Sequence, residues 1–146
     1  MEKKTVVEYR VAYVDTDAMG VMNHGNYLAV FERARNELMR ETGYTYREFE
    51  ADGFALPVVR AEVRYRRPAR YDDLLETTAW VRLLKGPRLE IAYETRRKED
   101  GALLATGSTT HAFVSMADFR PRLPPARIVA ALGGDHTAAG RTRPQA

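Results

Sequence analysis

One long stretch of this sequence has helical periodicity, and the strand-like segments around it limit the folds that the chain can adopt. Apolar side chains recur at i, i+4, i+7 and i+11 within residues 26–43. This pattern is typical of an amphipathic helix of about four turns with one buried face. Asn26 is the expected N-cap of the helix and Gly43 its expected stop. The recurring side chains are Tyr27, Phe31, Ala34 and Leu38.

The remaining long segments are rich in β-branched and aromatic residues, which favours strands. Predicted strands cover residues 5–13, 55–66, 74–84, 88–98 and 103–115, and short helices are predicted at 46–51 and 125–132. Lys85-Gly86-Pro87 and Glu99-Asp100-Gly101 predict hairpin turns between the last three strands. One helix within a run of about five antiparallel strands is an α+β arrangement. In the third strand, one face is expected to carry Thr77, Ala79, Val81 and Leu83, and the other Trp80 and Arg82.

A chain of 146 residues is long enough for one domain with a sizeable core. We expect that domain over residues 1–132, followed by a mobile C-terminal tail over 133–146, which has no large apolar side chain. The absence of cysteine excludes disulfides, thiolate metal sites and cysteine nucleophiles. Because no apolar run reaches 18 residues and no signal-peptide pattern is present, we expect a cytoplasmic protein without a membrane span.

The charge balance is the compositional feature that suggests nucleic acid. The chain has 23 Lys and Arg residues against 20 Asp and Glu, a net charge of +3, and a sequence pI of about 9.3. A surplus of three positive charges is too small to indicate a nucleic-acid partner, and the sequence contains no recognisable RNA-binding motif. We therefore expect no nucleic-acid partner.

The most informative segment is residues 13–27, where two carboxylates, a histidine and two tyrosines lie at the start of the predicted helix. A helix N-terminus offers unpaired backbone N–H groups that can stabilise an oxyanion at a reacting carbonyl. A carboxylate beside it can act as a general base or as a nucleophile. These features indicate acyl transfer or hydrolysis, with Asp17 or Asp15 as the working carboxylate. The same residue types also serve as helix caps and turn formers, which is a purely structural role.

The order of residues in this segment resembles that of the hotdog-fold acyl-CoA thioesterases. The matching residues run Tyr13…Asp15-Thr16-Asp17…Gly20-Val21…His24-Gly25-Asn26-Tyr27. More narrowly, the segment is similar to the 4-hydroxybenzoyl-CoA thioesterase family, in the branch associated with Tol–Pal operons. The segment 67–74 resembles the Pro-Ala-x-Tyr-x-Asp turn of that family, and the order of elements matches over residues 5–130. The resemblance implies a hotdog fold, in which an antiparallel sheet of about five strands wraps around a central helix.

The resemblance also implies a site and a reaction. Asp17 matches the catalytic carboxylate of the family, and Tyr13 and His24 match two further residues of this branch. The N–H groups of Gly25 and Asn26 would polarise the thioester carbonyl. The implied reaction converts an acyl-CoA to a carboxylic acid and coenzyme A, without a metal ion or cofactor, since coenzyme A is part of the substrate. Family members form dimers that commonly double to tetramers, with the cleft between subunits, so we expect a homo-oligomer.

A cluster of arginines follows the second predicted helix, at positions 60, 64, 66, 67 and 70. One interpretation is a basic sheet edge that discourages edge-to-edge pairing. The other is that guanidinium groups bind the phosphates of coenzyme A, for which their bidentate geometry is suited. For this role we select Arg64, Arg66 and Arg67 first and Arg88 after them.

An alternative function is a non-catalytic acyl-CoA-binding hotdog protein, either a sensor or a scaffold. The three candidate catalytic side chains argue against it. A hotdog dehydratase would need a histidine-plus-carboxylate arrangement that is not visible here. His24, His111 and His136 lack close ligand spacing, so no metal site is expected. Asn23 replaces an aromatic residue that is frequent in the family, which leaves the acyl preference open.

Overall fold

The computed structural model describes residues 4–132, in which a first strand is followed by two helices, then six strands and a last short helix. The strands are β1 (Lys4–Arg10), β2 (Phe54–Ala55), β3 (Val58–Tyr65), β4 (Leu74–Lys85), β5 (Arg88–Arg97), β6 (Leu103–Ala112) and β7 (Val114–Ser115). The helices are α1 (Asn26–Glu41), α2 (Tyr46–Ala51) and α3 (Ala126–Ala131), and Tyr13–Asp15 form a 3-10 turn. Within this range no helix has the length and hydropathy to cross a membrane. The predicted tail, 133–146, lies outside the described residues, so the boundary at 132 stays a prediction.

Five of the strands form one antiparallel sheet in the order β1-β4-β5-β6-β3. The hairpin turns between β4, β5 and β6 form where they were predicted. Gly86 and Gly101 adopt positive φ values of 56° and 72° in these turns, a region that glycine reaches without a steric cost. Strands β2 and β7 form a separate two-stranded pair. Strand β3 therefore lies at one edge of the large sheet.

Helix α1 packs on the inner face of this sheet with the apolar stripe that its periodicity indicated. The buried residues of the stripe are Tyr27, Phe31, Ala34 and Leu38. The ring of Phe31 stacks on that of Tyr93 in β5, with 4.3 Å between centroids. A Cβ atom at Gly107 of β6 would come within 2.5 Å of Phe31, so this glycine leaves the space that the helix occupies. The α+β arrangement predicted from the sequence is confirmed.

The boundaries of three predicted strands differ from those in the structure by more than one residue. Strand β1 ends at Arg10 instead of residue 13, because the following residues turn into the 3-10 segment. The predicted strand 55–66 is divided into β2 and β3 around Pro57, which has no N–H to donate to a sheet. The predicted strand 103–115 is likewise divided at Phe113 into β6 and β7.

A bulge in β4 changes one predicted face. Thr77, Ala79 and Val81 share one face as expected, and the structure shows that this face is the buried one. The pairing register with β5 then shifts between Val81 and Leu83, so Leu84 is fully buried and Leu83 only half-buried. A bulge adds one residue to one strand and thereby reverses the alternation beyond it.

A buried polar network crosses the core between α1 and the sheet. The Arg35 guanidinium donates from Nη1 to the Tyr93 hydroxyl (3.1 Å), which shares a hydrogen bond with Thr109 Oγ1 (2.6 Å). His111 Nε2 lies 2.8 Å from that threonine oxygen, and its Nδ1 lies 3.3 Å from the Leu56 carbonyl oxygen. Burial, and secondly the Arg35 charge, lowers the pKa of His111 to about 4. His111 is therefore a neutral imidazole at neutral pH.

Candidate active site

The segment between β1 and α1 forms a narrow loop closed by backbone hydrogen bonds. At its base, the N–H of Asn23 donates to the Asp15 carbonyl (2.7 Å). Nearer its tip, the N–H of Asp17 donates to the Val21 carbonyl (2.9 Å). Gly20 completes the tip with a φ of 80°, a conformation that favours glycine. These bonds set the position of Asp17 relative to the base of the loop.

Asp17 lines a cavity of about 260 Å³ beside the N-terminal end of α1. Its Oδ1 accepts a hydrogen bond from the Met19 N–H at 2.9 Å. Among residues 4–132 no group donates to its Oδ2, so this oxygen is open to a water molecule or a substrate. The lining also includes His24, Tyr27, Tyr65, Arg66 and Arg67. The structure therefore brings together Asp17 and His24 of the predicted catalytic set.

Tyr65, the last residue of β3, is a cavity residue that the sequence did not identify. Its hydroxyl donates to the His24 carbonyl (2.9 Å). Its ring packs edge-on against the rings of His24 and Tyr27, with centroids 6.4 and 5.4 Å away. Burial raises the pKa of Tyr27, which keeps that hydroxyl protonated. The contact joins residues 41 positions apart, so no local pattern could predict it.

Tyr13 is not part of the cavity lining in a single protomer. Its side chain is 78% exposed, and its ring packs edge-on against Tyr71 with 5.2 Å between centroids. Its carbonyl accepts a hydrogen bond from the Thr16 hydroxyl (2.7 Å). The predicted role of Tyr13 in the reaction would therefore need a second copy of the chain beside it or a movement of the loop.

The two backbone amides that were predicted to bind the oxyanion already have acceptors. The Gly25 N–H donates to Asn23 Oδ1 (2.9 Å), and the Asn26 N–H donates to the Asn23 carbonyl (3.0 Å). The His24 N–H has no acceptor among residues 4–132. The prediction of Asn26 as N-cap is wrong: Gly25 is the N-cap, and Asn26 is the first helical residue. Its side chain turns back to donate to Asp15, which is why it does not cap the helix.

The two aspartates of the motif have different surroundings. Asp15 is only 8% exposed, and its carboxylate accepts hydrogen bonds from the Tyr9 hydroxyl, the Ala12 N–H and the Asn26 side chain. Asp17 lines the cavity instead. Of the two carboxylates that the sequence left open, Asp17 is the one that can meet a substrate. Across residues 4–132, no cluster of three or more His, Asp or Glu side chains could hold a metal ion.

The four arginines predicted to bind coenzyme A lie in three different places. Arg66 and Arg67 line the Asp17 cavity, and no carboxylate in residues 4–132 forms an ion pair with either of them. Arg64 lies in a separate groove over the outer face of the sheet. Arg88 lies in a third groove and forms a 2.5 Å ion pair with Glu90. Within one protomer, Arg66 and Arg67 are the two that can reach a ligand in the Asp17 cavity.

A five-stranded antiparallel sheet around one long helix, with an aspartate in a cavity at the start of that helix, defines a hotdog-fold thioesterase. The chain belongs to the thioesterase-like superfamily, whose family model matches residues 11–132. It is 35% identical to the acyl-CoA thioester hydrolase YbgC of Escherichia coli O6:H1 over 121 residues. This aligned segment covers 83% of this chain and 90% of that protein.

Solved structures agree with this assignment. A 1,4-dihydroxy-2-naphthoyl-CoA thioesterase from Synechocystis, Slr0204, superposes with a TM-score of 0.83 over 89% of this chain and 96% of that one, at 24% identity. A DHNA-CoA thioesterase from Staphylococcus aureus superposes with a TM-score of 0.79 over 97% and 91% of the two chains, at 28% identity. The hotdog fold, the family resemblance and the thioesterase class predicted from the sequence are confirmed.

Proposed function

We propose that this protein hydrolyses acyl-CoA thioesters to a carboxylic acid and coenzyme A, with Asp17 as the working carboxylate. The observation that supports this proposal most directly is the Asp17 carboxylate in a cavity at the start of α1, with one oxygen open to a ligand. The similarity to a relative named acyl-CoA thioester hydrolase agrees with this chemistry. Because CoA thioesters are metabolites of the cell interior, we place the protein in the cytoplasm.

Asp17 can promote the reaction by either of two routes. As a general base, it accepts a proton from a water molecule whose oxygen attacks the thioester carbonyl carbon. The C–S bond then breaks, and the proton passes from Asp17 to the sulfur of coenzyme A. As a nucleophile, the carboxylate itself attacks the carbonyl carbon and expels the CoA thiolate, and water hydrolyses the resulting mixed anhydride. Both routes regenerate the carboxylate, and in both His24 would orient the water molecule or the thioester.

Either route places negative charge on the thioester oxygen, and the start of α1 offers donors for it. The His24 N–H has no acceptor among residues 4–132, and the Gly25 N–H becomes available when the Asn23 side chain turns away from it. Both groups lie at the positive end of the helix dipole. A donor aimed at an oxyanion typically contributes about 10²–10³ in kcat.

Arg66 and Arg67 would hold the phosphates of coenzyme A at this cavity. Both guanidinium groups lack an ion-pair partner among residues 4–132, so binding a phosphate displaces no internal salt bridge. Arginine binds phosphate with two parallel hydrogen bonds, which fixes orientation as well as affinity. Arg64 and Arg88 can contribute to the same ligand only if it extends over the sheet or if a second copy brings them near.

Substitution of Asp17 by asparagine tests the proposal. The amide oxygen keeps the bond from Met19, so the loop should keep its shape while the proton acceptor is lost. We expect kcat to fall by about 10²–10⁴-fold. Release of free CoA from short, long and aromatic acyl-CoAs is followed with a thiol reagent, which meets no cysteine in this chain. Asp118→Asn, on an exposed turn outside the cavity, is the matched control.

Full activity in Asp17→Asn would contradict the role of this carboxylate. Binding of acyl-CoA by the wild-type protein without thiol release would instead favour the alternative, a non-catalytic sensor or scaffold. The two results are independent, because ligand binding is measured separately by calorimetry.

We further propose that the protein assembles with itself, as a dimer at least and as a tetramer when dimers pair. Strand β3 lies at a sheet edge and exposes Val58, Val59 and Tyr65 by 47%, 62% and 51%. An edge strand with exposed apolar side chains is suited to pairing with another chain. Tyr65 also lines the Asp17 cavity, so a partner at β3 would lie beside the site. Light scattering measures the assembly, and a monomer at micromolar concentration would contradict it.

A further inference from the structure

Asp15 is a buried carboxylate that forms no ion pair within the part of the chain that the structure describes. Asp15 is 8% exposed and Glu90 is 6% exposed. Glu90 is neutralised by ion pairs with Arg82 and Arg88, whereas no cation in residues 4–132 forms an ion pair with Asp15. A buried carboxylate is costly unless it is well hydrogen-bonded. The arrangement around Asp15 therefore has to supply donors in place of a counter-charge.

Three neutral donors converge on this carboxylate, one from β1, one from the residue just before the 3-10 turn and one from α1. The Tyr9 hydroxyl of β1 and the Ala12 N–H (2.8 Å) donate to Oδ2. The side-chain amide of Asn26, the first residue of α1, donates to Oδ1 (2.9 Å). The bond to Asp15 raises the pKa of Tyr9, so this hydroxyl stays protonated and remains a donor at neutral pH. Asp15 thereby ties β1, the 3-10 turn and the helix N-terminus to one point.

The backbone of Asp15 is also the base of the loop that carries Asp17. Its carbonyl accepts the N–H of Asn23, and two residues further on Asp17 closes the loop toward Val21. The same residue therefore fixes the loop through its backbone and the start of α1 through its side chain. A displacement of the loop relative to α1 would change the distance between the Asp17 carboxylate and the donors at the start of the helix.

We propose that Asp15 is a positioning residue for the hydrolysis: acting through Asn26, it holds the N-terminus of α1 in register with the Asp17 carboxylate. This inference rests on the proposed function. Asp15 itself transfers no proton and does not contact the substrate. Misplacement of reacting groups by about 1 Å can cost about 10²-fold in rate, even when binding is intact.

A comparison of two variants at each aspartate tests the inference. Asp15→Ala removes both oxygens that accept these three hydrogen bonds, and we expect kcat to fall by about 10²-fold, with KM within threefold of wild type. Asp15→Asn can keep the hydrogen bonds to all three neighbouring groups. Its amide oxygen accepts from Tyr9 and Ala12, and its NH₂ donates to Asn26 once that side-chain amide turns over. We expect Asp15→Asn to recover kcat to within about fivefold of wild type and to leave the pH profile of kcat unchanged.

At position 17 we expect no recovery by asparagine, because Asp17→Asn and Asp17→Ala both lack the carboxylate and should lower kcat to the same extent. The matched control is Asp52→Ala, which removes the acceptor of the Tyr44 hydroxyl in another aspartate–tyrosine pair away from the cavity. It should lower the free energy of unfolding without changing kcat. If Asp15→Ala does not fold, Asn26→Ala removes only the link to the helix, keeps its backbone N–H, and should lower kcat about tenfold with KM unchanged.

Wild-type kcat in Asp15→Ala or in Asn26→Ala would overturn the inference. So would an Asp15→Asn variant as inactive as Asp15→Ala, because the negative charge itself would then be required. A rise in KM at constant kcat would also overturn it, since Asp15 would then act in binding. Failure of the proposed function is distinguishable, because it appears as absent thiol release in the wild-type protein or as full activity in Asp17→Asn.

Discussion

Acidification should destabilise this protein through His111, which is buried as a neutral imidazole. The native pKa is about 4 and the ordinary value is 6.5. Because the native value is the lower one, the unfolded chain binds more protons between pH 6.5 and pH 4. The free energy of unfolding contributed by this residue is therefore fully present above pH 6.5 and is lost as the pH falls toward 4.

The size of the effect follows from the two pKa values. At pH 5 the histidine of the unfolded chain is almost fully protonated, whereas the native one is about one-tenth protonated. Linkage then gives a loss of about 2 kcal/mol between pH 7.5 and pH 5. The Arg35 charge and the surrounding apolar core both oppose protonation in the native state. The hydrogen bonds to Leu56 and Thr109 hold the ring in place.

Urea unfolding at pH 7.5 and pH 5 measures this loss in the wild type and in His111→Gln, at one protein concentration because assembly changes apparent stability. The glutamine can hydrogen-bond but does not titrate. The wild type should lose about 2 kcal/mol more than the variant over this pH interval, whatever their stabilities at pH 7.5. Equal losses in the two proteins would refute the reasoning, since the stability change would then come from other groups.

Two further predictions concern packing and substrate binding. Gly107→Ala should destabilise the fold by about 3 kcal/mol, at the upper end of overpacking costs. The new Cβ would lie 2.5 Å from Phe31 and 2.6 Å from the backbone oxygen of Glu62, which cannot move without its strand; an unchanged urea midpoint would contradict this. Arg67→Glu should raise KM for acyl-CoA about tenfold, with kcat within twofold and a weaker salt dependence of KM. The control is Arg96→Gln, which removes an ion pair with Glu94 outside the Asp17 cavity. Equal effects of the two substitutions on KM would argue against a phosphate contact of Arg67.

Most of the architecture could be predicted because it depends on local patterns. The 3.6-residue period of α1 and the glycine turns that join β4, β5 and β6 are visible in neighbouring residues, and both form as expected. The errors occur where the pattern is interrupted. The bulge in β4 buries Leu84, and Pro57 divides a predicted strand, because register and pairing depend on residues distant in sequence.

The candidate site was predictable in part. The motif around Asp17 and His24 identified the loop, and the structure brings these two side chains into one cavity. Tyr65 was missed because its contact with the loop spans 41 positions. Tyr13 matches the motif in sequence, yet its side chain lies on the outside of the loop in a single protomer.

The sequence by itself determined the class of fold, the position of the central helix and the loop that carries the reacting groups, because these depend on periodicity and on short motifs. Only the tertiary structure distinguished the two aspartates of that loop. Asp15 is enclosed by donors from β1 and α1, and Asp17 lines a cavity shared with β3. Whether a carboxylate is buried or open depends on the groups that the fold brings to it, and those groups come from segments that no local pattern connects.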